Sequence, residues 1–245
     1  MILKQILLIT VLVVLSACSE SGASDNPVQS DPMPDNELRS GIYDGYEYNY
    51  IHAESQVAYL ILHGGGWTHG DISAGNIENI CKELFDKKGL TVVNLNYPLS
   101  TETVHSREVI DWINKASADL KVAFNVKRWI LVGTSAGANL GALIVPLSPE
   151  NYQAFFGFYG VYDLSAGDEL NDTVNQRKDI FVPGGDYSEY SPSRKYWPEV
   201  PAYLWHGDSD SVVHIEQSED FRVTSGGELT VMHGLDHGFR VVDYL

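Results

Sequence analysis

WILVGTSAGANLGALIV, residues 129–145, is the stretch on which the fold turns. Trp129–Val132 is a short apolar run of the kind that forms a strand buried on both faces. Ser135–Val145 reads as a helix that ends before Pro146. Between them lies Gly133-Thr134-Ser135-Ala136-Gly137. A nucleophile at a sharp strand-to-helix turn needs small neighbours, because strand and helix approach closely there. The helix N-terminus behind Ser135 favours developing negative charge. Gly-x-Ser-x-Gly by itself recurs by chance at this glycine and serine content; the strand before it and the helix after it give it weight.

Outward from this turn the chain alternates. Tyr-rich Ile42–Ile51 reads as one or two edge strands, and Val57–Leu62 as a buried strand. Ile77, Ile80, Cys81, Leu84 and Phe85 follow helical spacing, as do Val109, Trp112, Ile113, Ala116 and Leu120. Thr91–Tyr97, Ala154–Tyr159, Ala202–His206 and Glu228–Met232 read as further strands, and Ile215–Arg222 as a short helix. Such alternation predicts an α/β fold with a mostly parallel sheet covered on both faces. Residues 161–200 break the pattern with three prolines, Gly184-Gly185 and several aromatic residues. They show no helical period, and read as a surface excursion or as a pocket wall.

Three more motifs follow strands. His63-Gly64-Gly65-Gly66-Trp67 comes after Val57–Leu62, and consecutive glycines let backbone N–H groups converge on one anion. No lysine in Walker spacing and no GxGxxG supports a phosphate loop instead. His206-Gly207-Asp208-Ser209-Asp210 offers two aspartates that could orient a histidine, and Asp236-His237-Gly238-Phe239 offers the histidine. Turn aspartates, an exposed histidine and a capping serine are the bland alternatives. Ser135, Asp210 and His237 nevertheless stand in the order Ser…Asp…His of an α/β-hydrolase triad. His63 and His206 read as hydrogen-bonding braces, and His69, His105 and His214 have no metal-ligand spacing. No metal or organic cofactor is expected.

The 245 residues carry 16 Lys+Arg against 33 Asp+Glu, a formal charge of −17, which makes nucleic acid an improbable partner. Two cysteines, Cys18 and Cys81, exclude a disulfide scaffold. Lys4 precedes the apolar run Ile6–Leu15, whose roughly 15 Å as a helix is half of a bilayer core. Residues 1–17 therefore read as a signal peptide. Leu15-Ser16-Ala17-Cys18 resembles the bacterial lipoprotein box, which implies lipidation of Cys18 and attachment to the periplasmic side of a membrane, with Ser19 resembling an outer-membrane sorting residue. Residues 18–38, polar and proline-bearing, read as the lipidated cysteine and a flexible tether, and residues 39–245 as the α/β domain.

LILHGGGW (60–67), LVGTSAGANL (131–140), HGDSDSVV (206–213) and DHGF (236–239) together resemble α/β-hydrolase esterases of the hormone-sensitive-lipase and feruloyl-esterase-like type. The resemblance runs over about residues 55–245. It implies Ser135 as nucleophile, His237 as base, Asp210 rather than Asp208 as acid, and Gly65, Gly66 and Ala136 N–H groups as the oxyanion hole. His233 does not match the family histidine. Tyr97-Pro98-Leu99 stands where relatives carry Tyr-Arg-Leu, and little chain is available for an N-terminal cap. Trp67 and Tyr159 are candidates to line the substrate pocket or to belong to the core. The expected substrate is a short-chain or compact aromatic ester. Alternatives are an arylformamidase-like amide hydrolase, and a non-catalytic surface lipoprotein that binds a ligand.

Overall fold

The protein was studied as a computed structural model, which describes residues 37–73 and 79–245. The signal segment, Cys18, the tether up to residue 36 and Ile77 lie outside the described residues. Contacts divide the chain into Met1–Asp31 and Pro32–Leu245, and every described residue belongs to the second unit.

Eight strands form one sheet: β1 (Arg39–Tyr43), β2 (Tyr46–Ile51), β3 (Val57–Leu62), β4 (Val92–Leu95), β5 (Arg128–Thr134), β6 (Tyr152–Phe158), β7 (Ala202–Gly207) and β8 (Glu228–Met232). Their order is β1-β2-β4-β3-β5-β6-β7-β8. β1, β2 and β4 pair antiparallel, and every pairing from β4 through β3 to β8 is parallel. The helices are α1 (Ile80–Lys88), α2 (Ser106–Ala123), α3 (Ala136–Ile144), α4 (Asp172–Phe181) and α5 (Glu216–Ser225).

Side chains alternate across a strand, so the near-continuous apolar run of β3 feeds two cores. Ala58, Leu60 and Leu62 pack with Val109, Ile113 and Leu120 of α2, Leu140 of α3 and Phe221 of α5. Tyr59 and Ile61 pack with Ile80, Cys81 and Leu84 of α1 and with Val241 and Val242 near the C-terminus. Cys81 is a buried apolar group here, and burial pushes its thiol up to about 12.

Residues 161–200 differ from the expectation of no helix. α4 lies within them, capped by Asn171, whose side chain accepts the Val174 N–H. Its buried positions are Val174, Lys178 and Phe181. A lysine stands at the centre of the inward face, so the apolar period vanishes from the sequence although the helix packs inward. Lys178 tolerates this position because its Nζ donates to the Leu164 carbonyl at 2.9 Å and lies over the Tyr187 ring.

Candidate active site

Ser135 sits between β5 and α3 with φ 51° and ψ −119°, a left-handed backbone that a non-glycine residue adopts only under constraint. The constraint is close packing. A Cβ at Gly137 would collide with the backbone of Leu62 and His63, and one at Gly133 with Gly137 and Ala138. The Ser135 N–H donates to the Phe158 carbonyl at 2.9 Å, which ties the turn to β6. Its hydroxyl lies 3.1 Å from His237 Nε2, and His237 Nδ1 lies 2.7 Å from Asp210 Oδ2. A carboxylate can only accept, so Nδ1 carries hydrogen and Nε2 is left to accept from the serine hydroxyl.

Asp210, on the loop after β7, has all of its acceptor positions filled. Oδ1 accepts the N–H groups of Val212 and Val213, each at 2.9 Å. Oδ2 accepts from His237 and, at 3.2 Å, from His206 Nε2. Burial alone would raise this carboxyl; the hydrogen bonds from His206 and His237 outweigh it and hold Asp210 well below the usual carboxylate range. His206 Nε2 also faces the Val213 carbonyl at 2.8 Å, which fixes its hydrogen on Nε2, while Nδ1 accepts from Ser218. Asp208 turns the other way, to the exposed His233 and the Gly234 N–H.

The glycine loop after β3 reaches this centre from the other side. Gly65 and Gly66 have φ of 125° and 58°, and a Cβ on Gly64 would come within 3.2 Å of Ser135 Cβ. His63 braces the loop: Nδ1–H donates to the Gly64 carbonyl at 2.7 Å, and its ring stacks on Tyr97, whose hydroxyl donates to the His63 carbonyl. Burial holds the His63 imidazole below its ordinary pKa, so it stays neutral. Ala136 is the first residue of α3, and its N–H has no acceptor within the helix.

A cavity of about 310 Å³ opens onto Ser135 and His237. Trp67 and Tyr159 are both core and wall: each is buried, and each lines the cavity. Trp67 donates its indole N–H to Asn139 and stacks on Phe181; Tyr159 meets His237 edge to face. Val161, Val174, Arg177 and Val212 complete much of the lining. Sequence reasoning did not single these out, and residues 161–200 act as a wall of the site. Among the described residues no cluster of His, Cys, Asp or Glu is arranged to hold a metal ion.

A mostly parallel eight-stranded sheet, a strained serine turn after β5 and a glycine loop after β3 define an α/β-hydrolase fold. Residues 48–225 match the BD-FAE family, and the chain belongs to it. It is 28% identical over 210 residues, 66% of this chain and 73% of the other, to the kynurenine formamidase avaC of Aspergillus versicolor. Among solved structures it resembles an esterase/lipase from an uncultured bacterium, with TM-score 0.69, 17% identity, and 86% of this chain and 78% of that chain covered. It also resembles the hormone-sensitive-lipase homologue EstE7 from a metagenome library, with TM-score 0.71, 19% identity, and 85% and 80% covered.

Proposed function

We propose that this protein is a serine carboxylesterase that works through an acyl-enzyme. The reading rests on one observation above the rest: the continuous contact from Ser135 Oγ through His237 to Asp210 Oδ2, at 3.1 and 2.7 Å. His237 Nε2 takes the serine proton as Oγ attacks the ester carbonyl. Asp210 keeps hydrogen on Nδ1 and stabilises the imidazolium that forms. The N–H groups of Gly65, Gly66 and Ala136 receive the oxyanion; such a donor contributes roughly 3–4 kcal/mol in related chemistry. His237 then protonates the leaving alcohol. A water deprotonated by the same nitrogen attacks the acyl-enzyme and frees the acid and the serine.

The cavity of about 310 Å³ and its aromatic wall suit a short or compact aromatic acyl group. Relative specificity across para-nitrophenyl esters should fall beyond roughly six to eight carbons, where added methylenes would no longer gain their ~0.8 kcal/mol of burial. An organophosphonate should form a single adduct on Ser135, and Ser135→Ala should remove turnover while leaving the circular dichroism spectrum intact. Labelling elsewhere, or an active alanine variant, refutes the assignment. A specificity that rises to long fatty acyl chains, with activation at an oil interface, refutes the size limit.

Amide cleavage is the second reading, favoured by the similarity to a kynurenine formamidase. A panel of nitrophenyl esters and N-formyl aryl amides separates it from ester cleavage. The proposed location is a lipoprotein anchored through Cys18. Its test is mass spectrometry of the membrane fraction, which should find an acylated Cys18 as the first residue; a soluble mature protein that starts elsewhere refutes it.

A further inference from the structure

Arg177 stands apart from the other charged side chains near the site. It is half-buried and lines the same cavity as Ser135 and His237, together with Trp67, Val161, Val174 and Val212 and the glycine loop. The protein carries twice as many acidic as basic residues, and Arg107, Arg194 and Arg240 each rest against carboxylates. Arg177 does not. Its one hydrogen bond among the described residues runs from Nη1 to the Gly65 carbonyl at 3.4 Å. A guanidinium has five N–H donors. The residues three and four positions away along α4 are Thr173, Val174, Ile180 and Phe181, so no carboxylate faces it from its own helix. Lys178, next in sequence, is committed elsewhere through its bond to the Leu164 carbonyl.

The place of the guanidinium is set by close approach. A Cβ on Gly66 would lie 2.6 Å from Arg177 Cδ and 3.1 Å from Nη1, so glycine at 66 is what lets the arginine lie flat against the loop. A partly desolvated cation without a counter-charge is costly, and the group that relieves it at least cost is a planar anion meeting the guanidinium fork. We propose that Arg177 makes this pocket selective for substrates that carry a carboxylate in addition to the scissile bond, held on the Gly65–Gly66 side. This rests on the hydrolase reading of the pocket and narrows it to acidic esters or amides.

The test compares matched pairs on the full-length protein: para-acetoxybenzoate against its methyl ester, with the charge on the leaving side, and monophenyl adipate against phenyl methyl adipate, with the charge on the acyl side. The readout is the ratio of kcat/KM for the charged over the neutral member. Arg177→Met and Arg177→Gln should lower that ratio about 10- to 100-fold for at least one pair, the range of a charge-assisted hydrogen bond. High salt should lower the wild-type ratio as well. If Arg177 only supports the Gly65 loop, both members slow equally, the ratio stays within threefold, and the proposal is overturned. Calorimetric binding of para-acetoxybenzoate to Ser135→Ala, with and without Arg177→Met, reads the site without turnover. Binding that depends on Arg177 in a protein that cleaves no ester supports the anion site and refutes the esterase reading. Ester turnover with no effect of Arg177 on ratio or binding does the opposite.

Discussion

Replacing Asp210 by asparagine isolates the proposed acid by geometry alone, since the two side chains have the same shape. Asparagine keeps one acceptor oxygen. If that oxygen faces Val212 and Val213, whose N–H groups can only donate, the amide NH₂ faces His237 Nδ1 and His206 Nε2. His206 cannot adjust, because its Nε2 hydrogen is also held by the Val213 carbonyl. His237 can: it moves its hydrogen to Nε2 and accepts at Nδ1. Nε2–H then points at Ser135 Oγ and can no longer take its proton. The expected loss in kcat is about 10³- to 10⁴-fold, or roughly 4–5.5 kcal/mol of transition-state stabilisation, with little change in KM. Turning the amide over only transfers the conflict to two backbone N–H groups. Asp208→Asn is the matched control, since Asp208 faces the exposed His233 and not His237. It should leave kcat within a few-fold. Both variants are to be compared with wild type on para-nitrophenyl acetate, with stopped-flow resolution of the acylation burst. A nearly active Asp210→Asn together with a crippled Asp208→Asn would refute the reasoning.

Asn139→Ala leaves the buried Trp67 indole N–H and the part-buried Tyr190 carbonyl without their partner. At about 1–3 kcal/mol for the buried indole N–H, and about 2–4 °C per kcal/mol for a domain of this size, the melting temperature should fall by about 2–12 °C, measurable by calorimetry. Gly137→Ala forces a Cβ into the backbone of Leu62 and His63, and should cost about 3 kcal/mol in denaturant unfolding while moving Ser135 out of reach of His237. His63 gives a pH dependence of stability. Its folded pKa lies below the unfolded value of about 6.5, so below that pH the unfolded chain binds the additional proton and stability falls as acid is added. The urea midpoint should drop between about pH 7.5 and pH 5.5, and drop less in His63→Asn; an equal drop in both would show that burial of this imidazole is not the cause.

Much of this architecture is legible in the chain itself. The apolar run of β3, the helical spacing of α2 and the Gly-x-Ser-x-Gly turn after β5 are local patterns. Period, small side chains and backbone freedom are properties of neighbouring residues, so sequence displays them directly. The glycines at 133 and 137 announce a close approach before the approaching backbone is known. Order along the chain puts Ser135, Asp210 and His237 in triad sequence, but the loop after β7 offers two aspartates, and local pattern alone does not choose between them. Tertiary packing points Asp210 towards His237 and Asp208 towards His233, because that depends on where the loop after β8 comes to rest. The same holds for α4. Its inward face carries Lys178, whose amine is satisfied by the Leu164 carbonyl, so the apolar stripe that announces a packed helix is interrupted. Arg177 follows from that helix: nothing in its sequence context aims it at Ser135. Its position against Gly65 and Gly66 exists only once α4 is laid over a glycine loop more than a hundred residues earlier in the chain.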